Sequence, residues 1–255
     1  MPSMTTVPSI RIRKENDEPL RPEGKYVLYW MTAFRRLGWN FALQHAADLA
    51  REMGKPLVIL DALEVDYPYA SPRFHRFILD GMAERARALI STPVFHYAFI
   101  EREPSEARGL LPALARDACC VVGDEYPSFF LPRLMQKAGR ELPVQFELVD
   151  SNGILPLRAG DRIFSGAYPF RRFLQKTLMD HLGQPPAPDP LSKSLPDAPH
   201  AVEQEVLDRW APLALADLDD LRTGLGRLPL DLSVAITTTP GGTIPARNRL
   251  FPDPG

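Results

Sequence analysis

Two polar loops carry the side chains that could hold a ligand. The first is residues 30–36, with Asn40 shortly after it, and the second is residues 124–127. Each loop follows an apolar run, and in an open parallel sheet ligands bind outside the carboxyl ends of the strands, where the strand order reverses. We therefore predict one aromatic-rimmed crevice between the two loops. Its candidate cofactor-binding residues are Met31, Thr32, Arg35, Asn40, Asp61, Asp124 and Glu125.

The Arg35-Arg36 pair in the first loop has two interpretations. Loops often carry functional residues on a rigid scaffold, which favours a contact between these guanidinium groups and a ligand. The alternative is a solvated loop whose arginines pair with a carboxylate such as that of Asp124.

Several common catalytic motifs are missing from the sequence. Neither loop has the glycine pattern of a dinucleotide-binding turn or a P-loop, and there is no Gly-x-Ser-x-Gly elbow. Asp61 and Asp124 end separate apolar runs without the paired histidine or metal-ligand spacing of a hydrolytic site. The adjacent Cys119 and Cys120 predict buried thiols, because two neighbouring cysteines suit neither a disulfide framework nor a zinc site. We expect no metal site and no self-contained catalytic site.

A basic segment lies further along the chain. Residues 158–176 contain five cations and one acid, Asp161. The formal net charge of −2 gives no overall field that would draw the protein to a polyanion, so a nucleic-acid contact would depend on a local patch of this kind. Arg171, Arg172 and Lys176 are the DNA-contact candidates, and a solvated helix face is the alternative.

Short apolar runs alternate with stretches of helical period from residue 26 to residue 150. This alternation predicts βαβ units and a Rossmann-like α/β fold, in which a five-stranded parallel sheet has helices on both faces. Nearly continuous apolar composition is expected of strands that are covered on both faces. We expect the first and fourth strands to be neighbours at the centre. The predicted strands are residues 26–31, 57–62, 94–100, 119–123 and 144–149.

Residues that start or end helices delimit the segments between the strands. Gly54 before Pro56 predicts the end of the first covering helix, and Ser71 before Pro72 predicts the N-cap of the second. Gly139 is expected to end a later helix in a left-handed conformation. A separate helix is predicted for residues 168–182, after the last strand.

The sequence divides into four parts. Residues 1–22 are an N-terminal extension, 23–183 the α/β domain, 184–200 a proline-rich linker, and 201–255 a helical and irregular C-terminal segment. We expect the end of this segment, from residue 237, to be poorly ordered. The sequence has neither a run of about 18 apolar residues nor a signal-peptide core, which predicts a cytoplasmic protein without a membrane segment.

Five ordered stretches of the sequence resemble the N-terminal α/β half of DNA photolyases of the class II type. They are YVLYWM, RR and NFAL within 26–43, GKPL at 54–57, RFHRF and LDG within 73–81, residues 121–130, and VDSNGILP at 149–156. The similarity continues through residues 168–174 and 228–234. The resemblance implies that the α/β domain can hold an antenna chromophore, a deazaflavin or a folate, and that a helical domain that binds FAD follows it.

The resemblance also implies an activity. Photolyases use reduced FAD and light to repair cyclobutane pyrimidine dimers in damaged DNA, a carbon–carbon lyase reaction, and they extrude the lesion from the duplex. No flavin-binding or dimer-binding residue of the family can be carried over to this sequence, so no catalytic residue is assigned. PGGT at 240–243 resembles the family's lead-in to the helical domain, after which the chain ends. A truncation, a frameshift or a split gene would produce that pattern.

Three hypotheses about function follow. In the first, the chain is the antenna-type domain of a photolyase-family protein and is inactive until a separate FAD-binding helical chain completes it. In the second, it is a stand-alone module that binds a nucleotide or a deazaflavin in the crevice. In the third, it is a non-functional remnant that leaves apolar surface exposed near Trp210 and Leu225.

Overall fold

The computed structural model describes residues 6–160, 162–198 and 201–251, which form a sheet with helices on both faces. The strand order is β1-β6-β5-β2-β3-β4. The strands are β1 (Ile12–Lys14), β2 (Tyr26–Trp30), β3 (Leu57–Leu63), β4 (Phe95–Ile100), β5 (Ala118–Glu125) and β6 (Phe146–Asp150). Four predictions fall partly outside the described residues: 1–5 of the extension, Asp161 of the basic segment, 199–200 of the linker and 252–255 of the C-terminal end.

The centre of the sheet follows the prediction. β2 pairs in parallel with both β3 and β5, so the predicted first and fourth strands are neighbours. The pairs β3 with β4 and β5 with β6 are also parallel. The loops after β2 and β5 therefore lie side by side at the carboxyl ends of the parallel strands.

One edge of the sheet differs from the prediction. β1 pairs antiparallel with β6, with Ile12 opposite Val149 and Lys14 opposite Glu147. The prediction of a five-stranded, all-parallel sheet is therefore wrong, because the described residues form six strands and the added one is antiparallel. An edge strand needs backbone partners on one side only, so three residues with two charged side chains are sufficient.

Nine helices in the described residues cover the sheet or follow it. They are α1 (Phe41–Met53), α2 (Pro72–Leu89), α3 (Leu110–Asp117), α4 (Leu131–Glu141), α5 (Ala167–Thr177), α6 (Met179–Leu182), α7 (Gln204–Arg209), α8 (Leu215–Thr223) and α9 (Thr243–Leu250). Alternate side chains of β2 point to opposite faces, as in any strand. Val27 and Tyr29 pack with α1, whereas Tyr26 and Leu28 pack with α3 and α4.

The predicted helix ends are confirmed in part. Gly54 ends α1 with a φ of 62°, a left-handed conformation that favours glycine. Ser71 is at the N-cap position of α2, but its side chain makes no capping hydrogen bond. Gly139 does not end α4 and lies inside it, where a Cβ atom would be 2.8 Å from Glu15 Cγ. This glycine therefore allows close packing against the residues that follow β1.

The proline-rich residues 184–198 lie along α1. The Gln44 side chain accepts a hydrogen bond from the Ala187 amide at 2.7 Å, and Arg51 donates to the Pro190 carbonyl at 2.8 Å. Leu191 and Leu195 pack against the apolar cluster of α1 and β2. The described part of the predicted linker is therefore bound to the sheet domain over most of its length.

Residues 201–230 cover the outer edge of the sheet at β4. The Leu213 amide donates to the Ala98 carbonyl at 2.8 Å, and the Tyr97 hydroxyl donates to the Trp210 carbonyl. Trp210 and Leu225 are 6% and 2% exposed. The apolar surface that the remnant hypothesis places at these two residues is thus buried, because the C-terminal segment packs against β4 and α2.

The chain from residue 240 onward is held by two carboxylates of α2. The Gly241 amide donates to Asp80 at 3.1 Å, and the Thr243 and Ile244 amides donate to the two oxygens of Glu84 at 3.0 and 3.1 Å. Glu84 thereby satisfies free amides in the first turn of α9. The sequence did not predict α9 in the segment from residue 237, because its cap is a carboxylate from a distant helix.

Candidate functional site

Asp124 fastens the loop after β2 to the end of β5. The carboxylate is fully buried, and its Oδ2 accepts hydrogen bonds from the amides of Thr32, Ala33 and Phe34 at 2.9, 2.8 and 2.9 Å. Its Oδ1 accepts from the Tyr29 hydroxyl at 2.7 Å. Burial raises the pKa of Asp124, and these four hydrogen bonds to the carboxylate oppose that increase.

Asn40 closes the same loop from its other end. Its Oδ1 accepts from the amides of Ala42 and Leu43 at 3.0 and 3.1 Å, which caps α1. Its Nδ2 donates to the carbonyls of Phe34 and Arg36, both at 3.0 Å, and lies 3.1 Å from the Tyr29 hydroxyl. Asp124 and Asn40 together determine the conformation of residues 32–40.

Asp61 is the centre of a buried ionic cluster at the end of β3. It accepts from Arg35 Nη1 at 2.7 Å and from Arg85 Nε at 2.8 Å, and His96 Nε2 is 3.3 Å away. Burial alone would raise the pKa of Asp61, but Arg85, His96 and Arg35 outweigh burial and lower it. Arg35 therefore pairs with a carboxylate, as one interpretation of the sequence proposed, but the partner is Asp61 and not Asp124.

Arg85 and His96 were not predicted as part of this site. Arg85 is buried, and besides its contact with Asp61 its Nη1 donates to the Arg35 carbonyl at 2.8 Å. An arginine within the apolar stripe of α2 was the signal in the sequence, because a buried charge needs a partner. The partner itself lies on another strand and could not be identified from spacing along the helix.

Glu125 and Met31 also have contacts within the protein. Glu125 pairs with Arg13 of β1 at 2.7 Å and with Arg158, so one predicted member of the basic segment is neutralised here. The Met31 side chain is fully buried in the core between β2 and α1. Thr32 differs from the other six candidates, because its Oγ1 is buried and has no hydrogen-bond partner in the described part of the chain.

The predicted crevice residues thus lie together at the carboxyl ends of the strands. Nearly all of their polar atoms form hydrogen bonds or ion pairs within the protein. Two surface cavities of about 510 and 380 Å³ lie elsewhere on the molecule, and neither is lined by any of the seven candidates. The buried polar groups as arranged do not fit the role of free donors or acceptors for a bound chromophore, with the exception of Thr32 Oγ1. Antenna binding by these residues stays a prediction.

A partly exposed aromatic row lies outside these buried groups. The Phe34 and Tyr126 ring centroids are 6.1 Å apart, and Tyr126 stacks on Phe129 at 6.5 Å with an interplanar angle of 6°. The Arg36 guanidinium lies over Phe34 at 5.3 Å. Phe129 is 84% exposed and has a φ of 61°, an unfavourable conformation for a bulky residue. Phe34 and Tyr126 come from the two predicted loops, and we call them, together with Phe129, the aromatic row.

The DNA-contact candidates lie far along the chain from these groups, on α5. Arg171, Arg172 and Lys176 are exposed, and none of them forms an ion pair with another described residue. Among the described residues there is also no group of three or more histidine, cysteine or acidic side chains that could hold a metal ion. In the same residues, no helix is long and apolar enough to span a membrane.

Comparison with known proteins relates this geometry to a family. A deoxyribodipyrimidine photo-lyase from Methanothermobacter thermautotrophicus is 31% identical to the chain over 169 residues. This similarity supports a relation of the chain to the DNA photolyase/cryptochrome family. The matched stretch is 66% of this chain and 37% of the archaeal protein, so the chain spans little more than a third of that relative.

The fold is also similar to that of a photolyase of known structure. A crystal structure of a class III photolyase from Agrobacterium tumefaciens aligns with 71% of it and with 37% of the bacterial protein, at 17% identity and a TM-score of 0.48. No protein-family model matches the chain.

Proposed function

We propose that the chain supplies the antenna-type α/β domain of a photolyase-family protein of the class II type. Light-dependent repair of cyclobutane pyrimidine dimers would then require this domain to act together with a helical domain that binds FAD. The observation that carries this proposal is the 169-residue match to a deoxyribodipyrimidine photo-lyase, of which the chain covers 37%. In such a complex the flavin would supply the light-driven electron transfer.

The polar groups at the carboxyl ends of the strands have hydrogen-bond partners within the protein, which supports an accessory role for this domain. Asp61, Asp124 and Asn40 are engaged by the protein itself, which makes them positioning residues for the loops and leaves none of these three side chains free for chemistry. A general acid or base must reach the group whose proton it transfers. We therefore assign no catalytic residue to the chain.

The aromatic row is the part of the predicted crevice that offers contact area to a flat chromophore. Aromatic rings bind planar groups by offset stacking, and Tyr126 and Phe129 already stack on one another. The unpaired Thr32 hydroxyl lies in the loop that carries Phe34 and would add a hydrogen bond. We propose this surface as the location for an antenna of the deazaflavin or folate type.

The purified chain provides a direct test of the proposal. We expect no stoichiometric FAD absorbance and no repair of dimer-containing oligonucleotides in the light, and we expect repair when a separately produced FAD-binding helical domain of the family is added. Stoichiometric flavin and repair by the chain alone would overturn the proposal. Failure of repair after addition of a helical domain that binds the chain would overturn it as well.

A ligand panel tests the antenna surface separately. Deazaflavin and folate compounds should raise the melting temperature by mass action if they bind the folded chain. Phe129→Ala should abolish that increase. Ile90→Ala truncates an exposed apolar residue directly after the C-terminal end of α2 and should leave the increase unchanged. An increase that survives Phe129→Ala would place the ligand elsewhere.

A further inference from the structure

Helix α5 lies on the surface of the molecule. None of its 11 residues is buried, although Phe170 and Phe173 are part of it. Their rings pack against Phe164 at centroid distances of 5.4 and 4.9 Å, and the Arg162 guanidinium lies over Phe164 at 5.5 Å. The helix is therefore braced by a small aromatic cluster of its own and presents the rest of its surface to solvent.

This exposed helix carries a concentrated positive charge. Residues 162–179 contain four cations and no acid, in a chain whose formal net charge is −2. Arg171, Arg172 and Lys176 are exposed and form no ion pair with the described residues. Arg172 and Lys176 are four residues apart, so they lie on one face of the helix, about 6 Å apart along its axis.

The chemistry of the surface favours a nucleic-acid strand as its partner. Unpaired cations on a convex helix gain affinity for a polyanion by releasing its condensed counterions. Aromatic side chains beside such cations stack with unpaired bases of any sequence. Tyr168 and Phe170 are 71% and 42% exposed. Tyr168 lies three and four residues before Arg171 and Arg172, so it is on the same face of the helix, and Phe170 directly precedes Arg171.

We propose that α5 is a DNA-binding arm, in which Arg171, Arg172 and Lys176 contact phosphates and Tyr168 and Phe170 contact bases. The inference deepens the proposed function by naming a contact to the substrate DNA. The contact depends on neither light nor flavin, so it can be measured on this chain alone.

Fluorescence anisotropy tests the arm with a labelled, undamaged single strand of about 20 nucleotides. The variant Arg171→Gln/Arg172→Gln/Lys176→Gln should bind at least about tenfold more weakly than the wild type at low salt. The slope of log K against log salt should become shallower by about 2, because roughly 0.7 counterions are released per phosphate contact on a single strand. Tyr168→Ala should weaken binding without changing that slope.

Helix α4 offers a matched control. Arg133→Gln/Lys137→Gln/Arg140→Gln removes the same number of exposed cations from another surface helix and should leave both affinity and slope close to those of the wild type. Because α5 has no buried residue, its triple variant should unfold at the temperature of the wild type, which separates lost binding from lost folding.

Three results would overturn the inference. They are the absence of DNA binding by the wild type, equal losses in the α4 and α5 variants, and binding of α5 to anionic lipid vesicles but not to DNA. An α5-dependent interaction with DNA in a protein that fails to support repair would refute the proposed function and leave the DNA-binding arm standing.

Discussion

Replacing Asp124 tests whether this carboxylate holds the loop after β2 in place. Asp124→Ala leaves four donors without their acceptor, namely the amides of Thr32, Ala33 and Phe34 and the Tyr29 hydroxyl. A buried donor without a partner costs about 1–3 kcal/mol. The three amides belong to partly exposed residues that water can reach, whereas Tyr29 is fully buried. We therefore expect a loss of about 3–5 kcal/mol in the free energy of unfolding, near the lower end of the roughly 4–12 kcal/mol that four full penalties would give.

Asp124→Asn separates the effect of charge and acceptors from that of side-chain size. The amide oxygen can still accept from the three backbone amides, but the amide nitrogen then faces the Tyr29 hydroxyl, which already has Asn40 Nδ2 at 3.1 Å. The hydroxyl proton loses its acceptor, so we expect a loss of about 1–3 kcal/mol. Tyr29→Phe removes that donor altogether and should cost less than Asp124→Ala.

Urea unfolding gives the free energies, and hydrogen exchange at residues 32–34 gives the local effect. Exchange of these amides should accelerate in Asp124→Ala and change little in Asp124→Asn. If Asp124→Ala were within about 0.5 kcal/mol of the wild type, or if the Asn variant cost as much as the Ala variant, the four hydrogen bonds would not be what holds the loop.

Three other predictions concern separate parts of the fold. Because the folded-state pKa of Asp61 is lowered, its ionic contacts stabilise the protein above about pH 4 and are lost as pH falls through the folded-state pKa. Asp61→Asn should cost about 3–5 kcal/mol at pH 7 and make acid unfolding less steep, and parallel pH profiles would contradict this. Gly241→Ala would place a Cβ atom 1.9 Å from the Phe77 carbonyl oxygen and so displace the segment that follows. Limited proteolysis should therefore cut residues 241–251 faster than in the wild type, and unchanged cleavage would argue against a close contact. Trp210→Ala should lower the free energy of unfolding by about 3–5 kcal/mol in denaturant titrations, and a loss under 1 kcal/mol would show that the C-terminal segment adds little.

The central strands could be predicted because their signal is local. Strands covered on both faces need continuous apolar runs, and β2, β3 and β5 each have one. β1 could not be found in this way, because Ile12-Arg13-Lys14 has no apolar run and its partner β6 is more than 130 residues away. The helix α9 was missed for a related reason, since its cap is Glu84, about 160 residues earlier in the chain.

The candidate site was predicted in position but not in its contacts. The order of the strands was sufficient to bring the loops after β2 and β5 together, because those loops leave neighbouring strands at one edge. The sequence could not reveal that Asp124 is occupied by backbone amides or that Arg35 and Arg85 share Asp61. Such pairings depend on side-chain distances between segments far apart in the chain.

The cover over β4 has a consequence for synthesis of the protein on the ribosome. Residue 213, whose amide bonds to Ala98, is translated 115 residues after it. At about 5–20 residues per second, a nascent chain would expose this strand edge for roughly 6–23 s. An open edge can recruit strands from other chains, so we expect the newly made protein to be most prone to aggregation before its last fifth emerges.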